Sequence, residues 1–485
     1  MAVKNNDFDA VVIGTGLGGL ATTLRLLNYN KKVIVLDKSP KHGGNSIMAS
    51  SGINGVPTKF QPVIGDSVEL FIEDTLRSGG GLTNESLAKL LAKNSKNAIN
   101  WLVDELGLDL SIVSQLGGHS MPRTHRGPGG PPGYEIITSL FNDIKNHPNV
   151  TVLMNSRLTK IIMTEETDIN WPSVSGIEYQ DVNSGEINFL KSRNLVLATG
   201  GYSADIYSST SLIRKYRPEL IKFPSTNGDA TTGDGQKIAE RDCDAKLIDM
   251  KEVQIHPTGF VKFTPGEMDK GKKILCGELI RGIGGILLSP LTGKRFVNEL
   301  QTRDVLSSSI LKNCHTKDIF HSEGQTAFSV IAVSNEDYHK AMSHVNFYMK
   351  MGLMFKGNVE DLHKLMTQIN PNLSITSLRQ ALVEYNDAME NGDNWGRTQF
   401  GSKFEESEFY FGIITPVLHY TMGGIQIDHH SNVVRTDNHV ISNLYAVGEV
   451  GGGLHGRNRL SGSSLLQCVV FGTLVAEHIS ELKGQ

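Results

Sequence analysis

Short segments rich in histidine, arginine and glutamate lie in the second half of the chain and carry groups that bind anions. They are His256-Pro257-Thr258-Gly259, Gly277-Glu278-Leu279-Ile280-Arg281-Gly282 with Gly293-Lys294-Arg295-Phe296-Val297-Asn298-Glu299, Thr302-Arg303-Asp304, His419-Tyr420-Thr421-Met422-Gly423-Gly424, and His455-Gly456-Arg457-Asn458-Arg459-Leu460. An arginine fork binds a carboxylate through two hydrogen bonds, and a histidine adds a donor. Each segment alone has a structural explanation, because an Arg-Asp pair is usually a surface ion pair of little energy. Together they predict a site that holds a small dicarboxylate at both ends.

A glycine-rich turn near the start of the chain predicts a second ligand, a dinucleotide. Residues 10–13 are typical of a buried strand. Gly14, Gly16 and Gly19 are typical of a tight turn that leads into the following helix. The unsatisfied amides at a helix start hold phosphates. A second strand ends on Asp37, eighteen residues after Gly19, where an acid suits the hydroxyls of an adenosine ribose. The glycines alone would be weak evidence, but together with the strand, the helix and the acidic residue they predict dinucleotide binding.

Later segments are expected to return to the same sheet edge. Residues 195–201 are typical of a buried strand that ends in bare backbone, residues 228–235 open a helix, and residues 443–450 are again strand and glycine turn. The final helix begins near Ser463. The residues predicted to contact the cofactor are Gly14, Gly16, Gly18, Gly19, Asp37, Lys38, Gly44, Asn45, Ser46, Ser51, Gly52, Ala198, Thr199, Gly200, Asp234, His419, Glu449, Ser464 and Leu465.

Other segments are predicted to pack or to link. Residues 66–110 have helical periodicity. Residues 150–153 and 177–179 are predicted strands of a β-rich excursion, with a turn at residues 183–185. The basic loop at residues 117–127 either faces an anionic group or is solvated, and the sequence leaves both open.

Composition bounds the class of protein. At 485 residues two domains are expected, and a formal net charge of −4 gives no reason to expect a nucleic-acid partner. The four cysteines lie far apart, without CxxC, haem-attachment or iron–sulfur spacing, and are predicted to be reduced. His429-His430 reads as a solvated hairpin tip, so no metal is expected. No apolar run looks long enough to cross a bilayer, so we expect a cytoplasmic protein without a membrane partner, unless a targeting segment has been removed.

The motifs taken together resemble the soluble fumarate reductases, members of the flavoprotein family that includes succinate dehydrogenase flavoprotein subunits and L-aspartate oxidase. The resemblance spans nearly the whole chain and is carried by the glycine fingerprint, Gly43-Gly44-Asn45-Ser46, His256-Pro257-Thr258, Glu278 with Arg281, Thr302-Arg303-Asp304, and the segments that begin at His419 and His455. Gly118-His119-Ser120 and Arg123-Thr124-His125-Arg126 make it closest to the single-chain fungal type.

The resemblance implies an α/β fold. It implies a Rossmann-type FAD-binding domain, with a parallel sheet and a β-rich excursion, into which an α+β capping domain is inserted. We expect residues 1–251 and 421–485 to form the FAD-binding domain and residues 252–420 to form the cap.

The resemblance also implies FAD-dependent reduction of fumarate to succinate. Residues matching His256, His419 and Arg459 grip the two carboxylates in the family, and reduced flavin delivers hydride from N5. The residue matching Arg303 donates the proton, and those matching Glu278 and Arg281 return one to it. We therefore expect Arg303, Glu278, Arg281 and His256 to be catalytic, and His256, Gly277, His419 and Arg459 to bind substrate.

This chain departs from the family pattern at a few positions. Gly277 stands where many relatives carry a threonine that touches a carboxylate, so that contact is lost or passes to backbone. Asn45 stands near the histidine that membrane-complex relatives bond to FAD, so non-covalent FAD is expected. Tyr420 stands where some relatives carry the second histidine of a pair, so one flavin-side contact is expected to differ.

Two alternatives to a fumarate reductase stay open at this point. One is a related flavoenzyme acting on another enoate or dicarboxylate, such as an L-aspartate oxidase. The other is a flavin-binding module without catalysis, which the filled acid, relay and clamp positions disfavour. No haem or cluster motif is present, so the electrons are expected from an external donor, either reduced flavin or a reductase.

Overall fold

The computed structural model describes residues 8–61, 65–165, 172–264, 267–268, 272–314 and 327–482. The strands are β1 (Ala10–Ile13), β2 (Val33–Leu36), β3 (Ile53–Asn54), β4 (Ile112–Ser114), β5 (Thr124–Arg126), β6 (Val150–Leu153), β7 (Ser156–Met163), β8 (Val174–Asp181), β9 (Ile187–Lys191), β10 (Leu195–Leu197), β11 (Leu247–Ile248), β12 (Val253–Phe260), β13 (Phe263–Thr264), β14 (Glu267–Met268), β15 (Ile286–Leu288), β16 (Ser329–Ser334), β17 (Phe355–Gly357), β18 (Phe409–Thr421), β19 (Gly424–Ile425), β20 (Asn432–Val434) and β21 (Val440–Ala446).

The helices pack around these strands. They are α1 (Leu17–Asn28), α2 (Val68–Ser78), α3 (Glu85–Lys93), α4 (Ser95–Asn100), α5 (Pro132–Ile144), α6 (Leu212–Tyr216), α7 (Asp234–Cys243), α8 (Leu279–Gly282), α9 (Arg303–Asn313), α10 (Asn335–Tyr338), α11 (Met342–Lys350), α12 (Val359–Thr367), α13 (Ile375–Asn391) and α14 (Ser463–Glu481). The helical pattern predicted over residues 66–110 is confirmed by α2, α3 and α4.

A six-stranded sheet forms the first layer, in the order β20-β21-β10-β1-β2-β6. Its strands pair in parallel except at the β20 edge. Every residue of β1 and β2 is buried, as expected of a parallel sheet covered on both faces. The predicted α/β class is confirmed.

One strand assignment was wrong. Val150–Leu153 was predicted to belong to the β-rich excursion, yet it pairs in parallel with β2 and forms the edge of the main sheet. The sequence of a short apolar strand does not show which strand it will pair with. Its place in the main sheet is seen only from the structure, where Val150 pairs with Val33. The excursion is the antiparallel sheet β7-β8-β9, and the predicted turn at residues 183–185 joins β8 to β9.

Glycine brings α1 against β1. A Cβ on Gly19 would lie 1.9 Å from the carbonyl oxygen of Gly14, so no larger residue fits there. This is the close packing of helix and strand that the third glycine of the fingerprint predicts.

Helix α14 packs beside α1 in the main core, where Leu466 and Val470 are buried. It is also long and apolar enough, at 19 residues, to cross a membrane by length and composition, and 61% of its apolar window is buried inside the fold. By length and composition, the expectation that no segment could cross a bilayer is therefore wrong. The burial of α14 inside the fold distinguishes it from a helix that faces lipid.

A second sheet, β12-β18-β16-β15 with β17 also paired to β18, carries the residues after 252. Alternate residues of β16 enter different cores, Ile331 and Val333 on one face and Val330 and Ala332 on the other. The sheet is therefore buried on both faces. Strand β12 begins at Val253 and β18 ends at Thr421, close to the predicted limits of the cap at residues 252 and 420. The division into two domains stays a prediction.

The loop at residues 117–127 is buried over most of its basic residues. Arg123 is fully buried and bonds the carboxylates of Asp66 at 2.7 Å and Asp74 at 2.5 Å. His119 Nε2 lies 2.9 Å from the Ser461 carbonyl oxygen. The solvated alternative is therefore wrong for these residues, and the anions that Arg123 meets belong to the protein.

We predict that Arg123→Met lowers the free energy of unfolding by about 3–5 kcal/mol, because the buried Asp66 carboxylate loses its cation and the buried Asp74 carboxylate keeps only the exposed Arg77. Lys403→Met is the matched control, since Lys403 pairs with Glu390 and both side chains are more than half exposed. It should cost less than about 1 kcal/mol. Urea unfolding followed by circular dichroism measures both. Equal losses would contradict the assignment of Arg123 as a buried structural cation.

Candidate active site

A cavity of about 1100 Å³ opens at the carboxyl ends of the parallel strands, where ligands of such sheets bind. Its wall includes the ends of β1 and β2 and the residues that follow β10 and β21. All of the predicted cofactor residues except Gly19 lie on this wall: Gly14, Gly16, Gly18, Asp37, Lys38, Gly44, Asn45, Ser46, Ser51, Gly52, Ala198, Thr199, Gly200, Asp234, His419, Glu449, Ser464 and Leu465. Gly19 acts in packing instead.

The amino end of α1 suits a pyrophosphate. Gly16 and Gly18 present bare backbone to the cavity, and no acidic residue lies in the first turn of α1 to repel an anion. Ser46 Oγ accepts the Leu17 N–H at 3.1 Å, which ties the loop after β2 to this turn. Gly200 has open space around its Cβ position. The wall therefore fits a flat, phosphate-bearing cofactor.

Asp37 is held rigidly at the end of β2. Its Oδ2 accepts the Thr15 N–H at 2.8 Å and the Thr15 hydroxyl at 2.5 Å, and its Oδ1 accepts the Ser39 N–H at 2.9 Å. Oδ2 thus uses both of its lone pairs, whereas Oδ1 keeps one and can still accept a ribose hydroxyl.

Lys38, Asp234 and Asn45 lie on the wall but are engaged with other protein groups. Lys38 Nζ bonds Asp234 at 2.9 Å, and Arg157 reaches the same carboxylate at 3.0 Å. Asn45 accepts the Gly228 N–H at 2.9 Å and donates to Asn227 and to the Thr231 hydroxyl. These contacts join loops from different parts of the chain around the cavity.

The predicted acid, Arg303, is the first residue of α9 and also lines the cavity. It is buried and donates from all three nitrogens. Nε bonds Glu278 at 3.0 Å, Nη1 bonds Gln254 Oε1 at 2.7 Å, and Nη2 bonds the Ser461 hydroxyl at 3.1 Å. Its position is therefore set by three separate segments.

Glu278 lies between two arginines. Its Oε2 is 3.0 Å from Arg303 Nε and 3.4 Å from Arg281 Nη2, and its Oε1 accepts the Gly117 N–H at 2.7 Å. Burial alone would raise the pKa of Glu278, but the charges of Arg303 and Arg281 outweigh it and lower the pKa to about 2. Burial lowers the pKa of Arg281.

His256 is a fully buried neutral donor. Thr258 N–H lies 3.2 Å from its Nδ1, and the Thr258 hydroxyl donates to the Cys276 carbonyl oxygen, so Nδ1 is the acceptor and the proton is on Nε2. Burial, with help from the charge of Arg303, lowers the pKa of His256 well below its usual value. Within the described residues, Nε2 has no hydrogen-bond partner, so this donor remains for a ligand.

His419 and Arg459 complete the group. The rings of His256 and His419 meet edge to face with centroids 4.9 Å apart, and Thr226 Oγ1 lies 3.0 Å from His419 Nδ1. The Arg459 guanidinium lies 4.3 Å over the Tyr420 ring, and its Nε has no partner in the described part of the chain. We call the predicted carboxylate-binding residues His256, His419 and Arg459, together with the predicted acid Arg303, the clamp.

The main-chain amide of Gly277 is not free to bind a substrate. The Gly277 N–H donates to the Tyr348 hydroxyl at 3.0 Å, so the backbone contact that the sequence left open for a substrate is already used. Tyr420, the other departure, lines the cavity and bonds Gln467 Oε1 at 2.9 Å, the same oxygen that lies 2.8 Å from His455 Nε2.

Gln254, Ser461 and Thr226 are site residues that the sequence reasoning missed. Gln254 lies two residues before His256 on β12, and therefore on the same strand face, which was the signal available for it. Ser461 and Thr226 lie in loops with no local pattern, and only the fold brings them to Arg303 and His419.

His429 and His430 lie in an exposed turn, as predicted. Across the described ranges, no group of three or more histidine, cysteine or acidic side chains is arranged to hold a metal ion.

Comparison with known proteins adds independent findings. The profile of the FAD binding domain family matches residues 9–465. The chain is 41% identical to fumarate reductase 1 of Saccharomyces cerevisiae, covering 97% of this chain and 98% of that protein. It is 37% identical to fumarate reductase of Schizosaccharomyces pombe, covering 99% and 90%. The solved open conformation of a flavocytochrome c3 fumarate reductase superposes with a TM-score of 0.73 at 31% identity, covering 98% of this chain and 78% of that one.

We predict that Glu449 makes the protein without cofactor less stable as pH rises. Burial raises the pKa of Glu449 to about 7 although it accepts the Thr421 N–H and hydroxyl at 2.9 and 3.0 Å. The folded state therefore holds a proton that the unfolded chain loses near pH 4.5. Relative to Glu449→Gln, the free energy of unfolding should fall by about 3 kcal/mol between pH 5 and pH 8. A pH-independent difference in urea unfolding would contradict this.

Proposed function

Because this chain belongs to the FAD-binding flavoprotein family of the fumarate reductases, we propose that it reduces fumarate to succinate. It is a flavin-dependent oxidoreductase with FAD as its cofactor. The resemblance read from the sequence motifs and the expected FAD-binding fold are both confirmed. The position of Arg303 carries the proposal, because a buried guanidinium anchored at three nitrogens borders the cofactor cavity beside the clamp donors.

The charge of the site supports a dicarboxylate substrate. Arg281, Arg303 and Arg459 are buried together with Glu278, and His256 and His419 are neutral because burial lowers their pKa values. Three guanidiniums against one carboxylate leave two net positive charges, which match the two negative charges of fumarate. Nε2 of His256 and Nε of Arg459, unpartnered within the described residues, supply donors for the carboxylates.

When bound, reduced FAD supplies a hydride from N5. The clamp then has two tasks: to hold the alkene and to stabilise the negative charge that develops next to a carboxylate. Arg303 donates the proton to the second alkene carbon. A guanidinium is normally too weak an acid for this, but a carbanion-like centre is a very strong base, and direct contact between the two groups favours the transfer. Fixing Arg303 in advance removes the cost of orienting it.

Glu278 and Arg281 return a proton to Arg303. The ionised Glu278 carboxylate touches Arg303 at 3.0 Å and lies 3.4 Å from Arg281, so it can take a proton from one arginine and pass it to the other. We call Arg281, Glu278 and Arg303 the proton relay. Each transfer spans one contact, which suits repeated turnover.

The cofactor is proposed to be held without a covalent bond. Asn45, near the position at which some relatives attach FAD, has an amide side chain that is already bonded to Gly228, Asn227 and Thr231. The electrons are proposed to come from an external donor, either free reduced flavin or a reductase.

The substrate test uses the purified holoenzyme, reduced anaerobically with dithionite. Fumarate should reoxidise the flavin rapidly, while maleate and monocarboxylic enoates should do so slowly, because they present the wrong charge or geometry to the clamp. Succinate in the products confirms the reaction. Faster reoxidation by another enoate, or reduction of the oxidised flavin by L-aspartate, would replace fumarate as the substrate.

We predict that Arg303→Ala lowers kcat for fumarate by about 10²–10⁴-fold, the usual contribution of a positioned acid. Flavin content should stay the same, as judged by absorbance per protein. Arg193→Ala is the control, because Arg193 is exposed and far in sequence from the clamp. Full turnover by Arg303→Ala would remove the proposed acid while leaving the substrate assignment standing.

A further inference from the structure

We propose that Arg397, together with Glu299, is a positioning residue for the proton relay because it fixes Arg281 in place. The inference rests on the proposed function and deepens it. Neither residue touches the cavity wall, and Arg397 lies more than a hundred residues after Arg281 in the chain.

Arg281 is sparsely bonded for a buried cation. Its Nη1 donates to the Glu299 carbonyl oxygen at 2.6 Å. Among the described residues, Nε and Nη2 have no hydrogen-bond partner, and Nη2 lies 3.4 Å from Glu278 as an ion pair. The one hydrogen bond to Glu299 therefore orients the guanidinium, and Nη2 is left for exchange with Glu278.

Arg397 holds the main chain of the same residue. Its Nη2 donates to the Arg281 carbonyl oxygen at 3.0 Å. Its Nη1 donates to the Gly285 carbonyl oxygen and to Glu299 Oε2, both at 2.9 Å. Arg281 lies in α8, a helix of four residues that is too short to hold its own geometry. The planar guanidinium of Arg397 thus binds the carbonyl oxygens of Arg281 and Gly285, one on each side of the turn that follows Arg281.

Glu299 joins the two restraints. Its carbonyl oxygen takes the Arg281 side chain, and its carboxylate takes Arg397 and Arg295. Arg295 also bonds Asp393 at 2.6 Å, so the cluster contains two arginines and two acids and adds no net charge to the clamp. Its contribution to the site is therefore geometric.

Stability alone is a weak reason for this cluster. A buried ion pair is often no more stabilising than apolar side chains of the same volume, because both charges lose their hydration. A planar fork that must meet several acceptors at once does, however, set positions closely. Since transfer between Arg281 and Glu278 depends on a contact of 3.4 Å, a small rotation of Arg281 would break the relay.

The chain offers a matched pair of variants. Arg397 and Arg295 are both buried, both bond Glu299, and both lie against the Tyr385 ring, at 5.7 and 5.3 Å. Only Arg397 bonds Arg281 directly, and Arg281 itself bonds the main-chain carbonyl oxygen of Glu299, not the carboxylate that Arg295 holds. Arg397→Lys and Arg295→Lys therefore each remove a guanidinium from the same cluster. Only Arg397→Lys also removes a contact with Arg281 of the proton relay.

The experiment measures kcat, KM for fumarate and the solvent deuterium isotope effect on kcat in both holoenzymes, after flavin content and melting temperature show that they are folded. Arg397→Lys should lower kcat by about 10–100-fold, as expected for a misplacement near 1 Å. Its KM should stay within about threefold and its isotope effect should rise, because proton delivery becomes slower. Arg295→Lys should keep kcat within about threefold although its melting temperature also falls.

Equal kcat losses in the two variants, no loss in either, or a change confined to KM would overturn the inference. Arg397→Gln is the second variant if the lysine protein does not fold, since an amide can still donate to one of the carbonyl oxygens. Absence of fumarate turnover in the wild type would instead overturn the proposed function, and the inference with it. Turnover by the wild type with indistinguishable variants would overturn the inference alone.

Discussion

The central constraint in this structure is the Glu278 carboxylate, ionised and fully buried between two arginines. A charge in that position has lost its hydration, so it is stable only while Arg303, Arg281 and the Gly117 amide stay in contact with it. Those three groups come from α9, α8 and the loop before β5. The carboxylate that we propose for the proton relay therefore also fixes how three distant segments meet.

The two sheets contribute different kinds of groups to the site. The parallel sheet delivers backbone, at the glycine turns after β1 and β10, because a cofactor with phosphates and a flat ring needs close approach more than side chains. The second sheet delivers side chains. Strands β12 and β18 are antiparallel neighbours, with His256 opposite Val417 and Gln254 opposite Tyr420. The pairing shifts by one residue between these two positions, at His419, whose ring lies 4.9 Å from that of His256.

Local patterns predicted much of this arrangement. The glycine fingerprint is contiguous, so the turn, α1 and Asp37 could all be predicted from the sequence, and the short histidine and arginine segments marked the clamp. Long-range pairing could not be predicted in the same way. Val150–Leu153 joined the main sheet through its partner β2, and the basic loop was buried because Arg123 finds two aspartates far away in sequence. Gln254, Ser461 and Arg397 carry no motif, and their roles come from contacts that only folding creates.

Strand β18 has a mechanical consequence. It is 13 residues long, and one continuous strand runs from Phe409, in a core of the second sheet, through His419 to Thr421, which bonds Glu449 beside the cofactor cavity. Its pairing with β12 shifts register on both sides of His256, so the strand is irregular where it carries His419. Because His419 and Phe409 nevertheless belong to one strand without an intervening loop, a displacement of the second sheet would move the histidine with it and change the spacing of the ligand-binding groups.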